Sequence, residues 1–155
     1  MSQSDVTSAI RRYLLLTLTV GMAGMTTELL LIGHVESVQQ LIPVVLLGLG
    51  VAVLAWHASA PRAITVRTLQ VTMVLFLLSG LVGVGLHYRG NLEFELEMYP
   101  SMRGFEMIQK TLTGATPVLA PGSMTLLGLI GLTYSYRHPC LYTDAQSSRN
   151  PEGES

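Results

Sequence analysis

The sequence predicts an all-α fold: an integral membrane four-helix bundle, N-in/C-in, with a longer structured outer loop between helices 3 and 4. Three observations predict it. Charged residues are 12% of the 155-residue chain and mean hydropathy is +0.46, against about 25% charged residues in soluble domains. The apolar residues fall in four runs that are almost free of charge. The cations between those runs gather on one side.

The first run, Tyr13 to Gly33, holds a single charge, Glu28. The second (Leu41 to Ala58), the third (Thr68 to Tyr88) and the fourth (Val118 to Tyr136) hold none. A helix needs about 20 apolar residues to cross about 30 Å of hydrocarbon at about 1.5 Å per residue. Soluble core helices show a polar stripe, and these runs do not. The spans are therefore expected at about 13–33, 41–58, 68–88 and 118–136, within a transmembrane domain of residues 1–139. Residues 140–155 are polar and read as a disordered cytoplasmic tail.

Orientation follows from the cations. With the N-terminus inside, Arg11, Arg12, Arg62, Arg67, Arg137 and Arg149 lie on the inner side, and Arg89, Arg103 and Lys110 on the outer. Six against three obeys the positive-inside rule, so both termini are expected in the cytoplasm, as in a bacterial inner membrane or an equivalent bilayer. The first run lacks a small-x-small cleavage site and reads as a retained span, not a signal peptide.

The connections differ in length. His34 to Gln40 is a short outer turn, with Pro43 expected in the first turn of the second span, where proline is tolerated. Ser59 to Ala63 is a short inner turn. Residues 89–117 form a loop far longer than the usual 2–8 residues of a bundle. Within it, apolar residues alternate with Glu93, Glu95 and Glu97. That is strand periodicity, although Glu93 and Glu97 would also share a helix face. Ser101 to Thr113 reads as a short amphipathic helix on the outer interface or over the bundle. Pro117 and Pro121 predict a broken start to the fourth span.

The polar residues near the membrane carry the functional readings. The two outward-running spans end in His34 and His87. Glu28 lies six residues before His34, about 9 Å deeper. An ionised carboxylate costs at least about 2.5–3.5 kcal/mol at mid-membrane, so Glu28 needs a proton, a partner or water, and Thr26 and Thr27 are nearby donors. Glu36 follows His34, and Asn91 and Glu93 follow His87. One reading makes this cluster structural. A second makes His34, His87, Glu28, Glu36 and Glu93 a site for zinc, iron or manganese, the metals this nitrogen and oxygen set suits. Glu-x-x-His spacing, usual for bundle carboxylate sites, is missing. A third makes His34 and His87 the axial ligands of a haem b, or the edge of a quinone pocket. The inner side holds His57 beside Trp56, and His138 beside Arg137.

Composition excludes other classes. The net charge of -1 removes a basic surface for nucleic acid, and one cysteine, Cys140, cannot build a disulfide or a cysteine zinc cluster. No phosphate loop, dinucleotide turn, His-Glu-x-x-His helix or nucleophile elbow is present. Glycines within the spans, such as Gly24, Gly80 and Gly128, suit close packing of helices within the chain or against other subunits. The expected partners are the lipid bilayer and other membrane protein subunits. The leading expectation is a non-catalytic subunit or scaffold of a larger membrane assembly, and the alternative a metal- or haem-binding membrane protein.

Overall fold

A computed structural model describes residues 2–142; beyond its first three residues, the expected tail lies outside the described residues. All regular structure in the described part is helical: α1 Gln3–Leu31, α2 Val38–Ser59, α3 Ala63–Met98, α4 Gly104–Leu112 and α5 Gly122–Ser135. Among the described residues, three helices, α1 to α3, are long and apolar enough to cross a membrane.

Local chemistry sets the helix ends. Ser2 and Asp5 form a capping box at the start of α1, and Ser37 and Gln40 form one at the start of α2. At the end of α1 the amide of Gly33 bonds the Leu30 carbonyl and that of His34 bonds the Leu29 carbonyl. This double closure requires a left-handed residue, and Gly33 supplies it with φ 65°. The early start of α2 moves Pro43 past the first turn into the helix, where it withholds an N–H from the Gln39 carbonyl near the exposed end.

Two elements depart from the sequence expectation. The strand-like alternation after Arg89 is helical, and α3 continues through it to Met98, a length of about 54 Å at the rise of an α-helix. Arg89 and Glu93, at i and i+4, join in an ion pair with a nitrogen–oxygen distance of 2.8 Å. The last turns of α3 pack against α4. Their packing and i,i+4 pairing make the period 3.6 rather than 2.

The second departure is α5, which spans 14 residues where the apolar run has 19. Pro121 has no N–H to donate to the Pro117 carbonyl, so the α-helical ladder cannot begin there. Successive i to i+3 bonds replace it: Ala120 to Pro117, Gly122 to Leu119, Ser123 to Ala120 and Met124 to Pro121.

The long helices adjoin in the cyclic order α1, α2, α3, α5, with α1 closing onto α5. Leu18, Met22, Leu47, Leu69, Met73, Phe76 and Met124 fill the centre and are fully buried or nearly so. The tightest seam lies between α3 and α5. A Cβ on Gly128 would sit 2.7 Å from the Met73 carbonyl oxygen and 2.9 Å from the Leu77 amide nitrogen, so only glycine allows this approach.

Candidate functional site

The described residues gather their polar side chains at two levels. At the end of the bundle expected to face inward, where α2, α3 and α5 meet, His57 is 3% exposed and both ring nitrogens are engaged. Nδ1 lies 2.8 Å from the Thr65 hydroxyl and Nε2 lies 2.8 Å from the Tyr134 hydroxyl. The Thr65 hydroxyl also accepts from the Arg62 amide at 3.2 Å and lies 2.9 Å from the Arg62 carbonyl and 3.3 Å from that of Ala60. A neutral imidazole donates from one nitrogen and accepts at the other, so Thr65, His57 and Tyr134 form one continuous chain of bonds in either tautomer.

His138 completes this cluster. Its ring centroid is 5.3 Å from that of His57 and 5.4 Å from that of Tyr134. Partial burial, with His57 and then Arg11 nearby, disfavours its charged form and lowers its pKa from the ordinary 6.5 to about 4.

Arg11 of α1 locks the same end. Its guanidinium donates to the carbonyls of Tyr134 (3.0 Å), Tyr136 (3.2 Å) and Arg137 (3.0 Å). These lie at the C-terminal end of α5, where carbonyls run out of helical donors and a cation is favoured. Arg137 has φ 47°, in the left-handed region, and that turn brings the three oxygens together.

At the opposite end, expected to face outward, His87 and Asn91 stand one turn apart on α3 and stitch the 111–117 segment to it. His87 Nδ1 donates to the Pro117 carbonyl at 3.2 Å. Pro121 leaves this carbonyl without an α-helical partner, so the imidazole joins the Ala120 amide as a second donor to it. Asn91 is buried and uses all its amide capacity. Nδ2 donates to the Thr111 (2.9 Å) and Thr116 (2.7 Å) carbonyls. Oδ1 accepts from the Thr116 amide (3.1 Å) and hydroxyl (2.7 Å).

The residues singled out for a metal or haem lie apart in role. Glu28 is exposed on α1, and the Thr26 and Thr27 hydroxyls beside it donate to the Met22 and Ala23 carbonyls instead. His34 is half-buried, and its backbone closes α1. Glu36 is exposed next to the α2 capping box. Glu93 is held by Arg89, and His87 by Pro117. Among the described residues no three His, Cys, Asp or Glu side chains come close enough together to hold a metal ion.

The inner cluster was the less legible site. His57 and His138 stand out in the sequence, but Tyr134, Thr65 and Arg11 do not, since their partners lie in other helices. Tyr134 and His138, four residues apart, were the one local signal. A shallow hollow lined by Asp5, Ser8, Ala9, Arg12, Tyr13 and Leu16 lies on one face of α1 alone. Its lining includes none of the bonded side chains of the inner cluster.

What both levels can do chemically is hold helices together. Every buried side-chain nitrogen and oxygen among the described residues has a hydrogen-bond partner. No family model, curated protein or solved structure matches the chain.

Proposed function

We propose that this chain is a small multi-pass membrane protein acting as a non-catalytic subunit or scaffold of a larger membrane assembly. One observation carries the reading: the buried polar groups are spent on each other, while the long helices turn much of their apolar surface outward. Only 17% of the most apolar window of α1 and 28% of those of α2 and α3 are buried within the chain. Large side chains such as Leu16, Val20, Val45, Val71 and Val82 stand exposed along these helices. In water such a surface is untenable; against lipid and neighbouring helices it is an ordinary contact surface.

In this reading α5 and its lead-in make a fourth crossing. The 14 residues of α5 cover about 21 Å, and residues 118–121, at the steeper rise of i to i+3 turns, add about 8 Å. Together they approach the hydrocarbon thickness. Both termini then face the cytoplasm, with Arg11, Arg62 and Arg137 at the inner boundary. The inner clasp and the His87–Asn91 stitches act as fasteners at the two ends of the bundle.

The test is native extraction in mild detergent from the cell of origin, followed by sizing and identification of what travels with the chain. Stoichiometric membrane partners are expected. A lone monomer under every mild condition would remove the assembly from the reading.

A further inference from the structure

We infer that the end of the bundle bearing Arg12, Arg62, Arg67 and Arg137 is a girdle for anionic phospholipid headgroups, which it binds in preference to zwitterionic ones. This rests on the reading of the chain as a membrane protein with that end in the inner leaflet, and it adds the lipid chemistry that the end selects.

Charge is distributed unequally between the two ends. Among the described residues this end holds five arginines against one acid, Asp5, which is spent on capping α1 through the Ser2 amide at 2.9 Å. Arg11 is committed to the clasp, and the other four arginines are exposed. The ion pairs of the described residues, Arg89 with Glu93 and Lys110 with Glu106, both lie at the opposite end. Arg103 there is held by the Pro100 and Met102 carbonyls. Arginine carries its charge permanently, so four exposed guanidinium groups without a carboxylate present a standing positive surface.

An independent observation places this surface at the headgroups. The hydrogen bonds of the clasp hold the helix ends at one level: Arg11 of α1 to the Arg137 carbonyl, and His57 of α2 to Thr65 of α3 and Tyr134 of α5. Arg12 directly precedes one apolar run, Arg67 directly precedes another, and Arg137 directly follows a third. The rings of Tyr13, Trp56 and Tyr136 stand exposed at this same level. Exposed tyrosine and tryptophan rings of this kind mark the boundary between hydrocarbon and headgroups.

Backbone conformation adds a third. Arg137 takes φ 47°, where glycine would be relaxed, yet the chain places an exposed arginine there, with its guanidinium 5.7 Å from the centroid of the Tyr136 ring. The arginines stand on α1, on α3 and after α5, so they are spread over several elements instead of forming one face. A leaflet meets all of these elements together, whereas an acidic segment of a partner chain would meet one. Anionic headgroups therefore fit the arrangement, and cations this close to an anionic leaflet are each attracted to it.

The experiment uses the full chain, so that the acids of residues 143–155, which lie outside the described residues, stay in place. Flotation with phosphatidylcholine vesicles is measured first; a chain that does not float overturns the membrane reading and this inference with it. The floated chain is moved to mild-detergent micelles holding phosphatidylglycerol and phosphatidylcholine in equal amounts, and retained lipids are counted by native mass spectrometry. Phosphatidylglycerol is expected in at least about tenfold excess, since each arginine near an anionic surface contributes about fivefold. Joint Arg12→Gln, Arg67→Gln and Arg137→Gln should bring the ratio close to one without changing helix content, and lysine at the same positions should preserve the excess. The matching change at the opposite end, Arg89→Gln, Arg103→Gln and Lys110→Gln, should leave it intact. Inorganic phosphate should displace no more lipid than chloride at equal ionic strength. Equal retention of the two lipids, a preference that survives the glutamine changes at Arg12, Arg67 and Arg137, one that the opposite-end changes also abolish, or displacement by phosphate beyond the chloride control would overturn the inference while leaving the membrane reading intact.

Discussion

His57 and Tyr134, 77 residues apart, share a buried hydrogen bond of 2.8 Å that ties the end of α2 to the end of α5. It is one link of a chain running from the Arg62 backbone through Thr65 and His57 to Tyr134. Burial makes the link consequential, because an imidazole nitrogen deprived of its partner has no water to turn to. Tyr134→Phe is therefore expected to destabilise the protein by about 1–3 kcal/mol with little loss of helix. Chemical denaturation in detergent reads this, and a double-mutant cycle with Thr65→Val should be non-additive, since both residues bond the same ring. Strict additivity would contradict the chain.

Acid should loosen the same end. The unfolded chain takes up a proton on His138 near pH 6.5, the folded chain only near 4. Between those values unfolding binds the extra proton, so the stability that depends on neutral His138 is complete above pH 6.5 and falls as the pH drops toward 4. Thermal midpoints across this window should decline, and His138→Gln should flatten the slope. A ring resonance of His138 titrating near 6.5 would refute the assignment.

The outer stitch should be separable from the bundle. Asn91→Ala removes four hydrogen bonds and leaves the buried carbonyl of Thr111 without its side-chain donor, a loss of about 1–3 kcal/mol. Limited proteolysis should then cut between residues 104 and 117 while α1 to α3 stay protected. Uniform protection across the chain would show that α4 is held by other contacts.

Two glycines make a paired test of packing. A Cβ at Gly128 would press on backbone atoms of Met73 and Leu77, which cannot step aside, whereas one at Gly24 meets open space. Gly128→Ala should destabilise by about 1–3 kcal/mol, and Gly24→Ala should be close to neutral in the isolated chain. Thermal unfolding in one detergent compares them; equal effects would mean the α3–α5 seam is looser than its geometry.

The sequence made the long helices legible because hydropathy is local: an uncharged run of sufficient length can hardly do anything else. It was less informative where periods compete. Glu93, Glu95 and Glu97 fit a strand by alternation and a helix by the i,i+4 relation of Arg89 to Glu93, and the packing of α4 on α3 decided the matter. The broken start of α5 was visible in Pro117 and Pro121, yet its partner, His87, was not, since 30 residues separate the imidazole from the carbonyl it bonds. The outer histidines drew attention because they stand beside acids in sequence. The inner cluster, drawn from α1, α2, α3 and α5, has no such neighbourhood, and only folding brings Arg11, Thr65 and Tyr134 to His57 and His138.

The most direct test of the central claim is native mass spectrometry of the chain released from its own membrane. An assembly subunit should leave a mild detergent micelle as a particle heavier than 16.8 kDa that collapses to 16.8 kDa plus other defined chains on activation. A particle of 16.8 kDa before and after activation would contradict it.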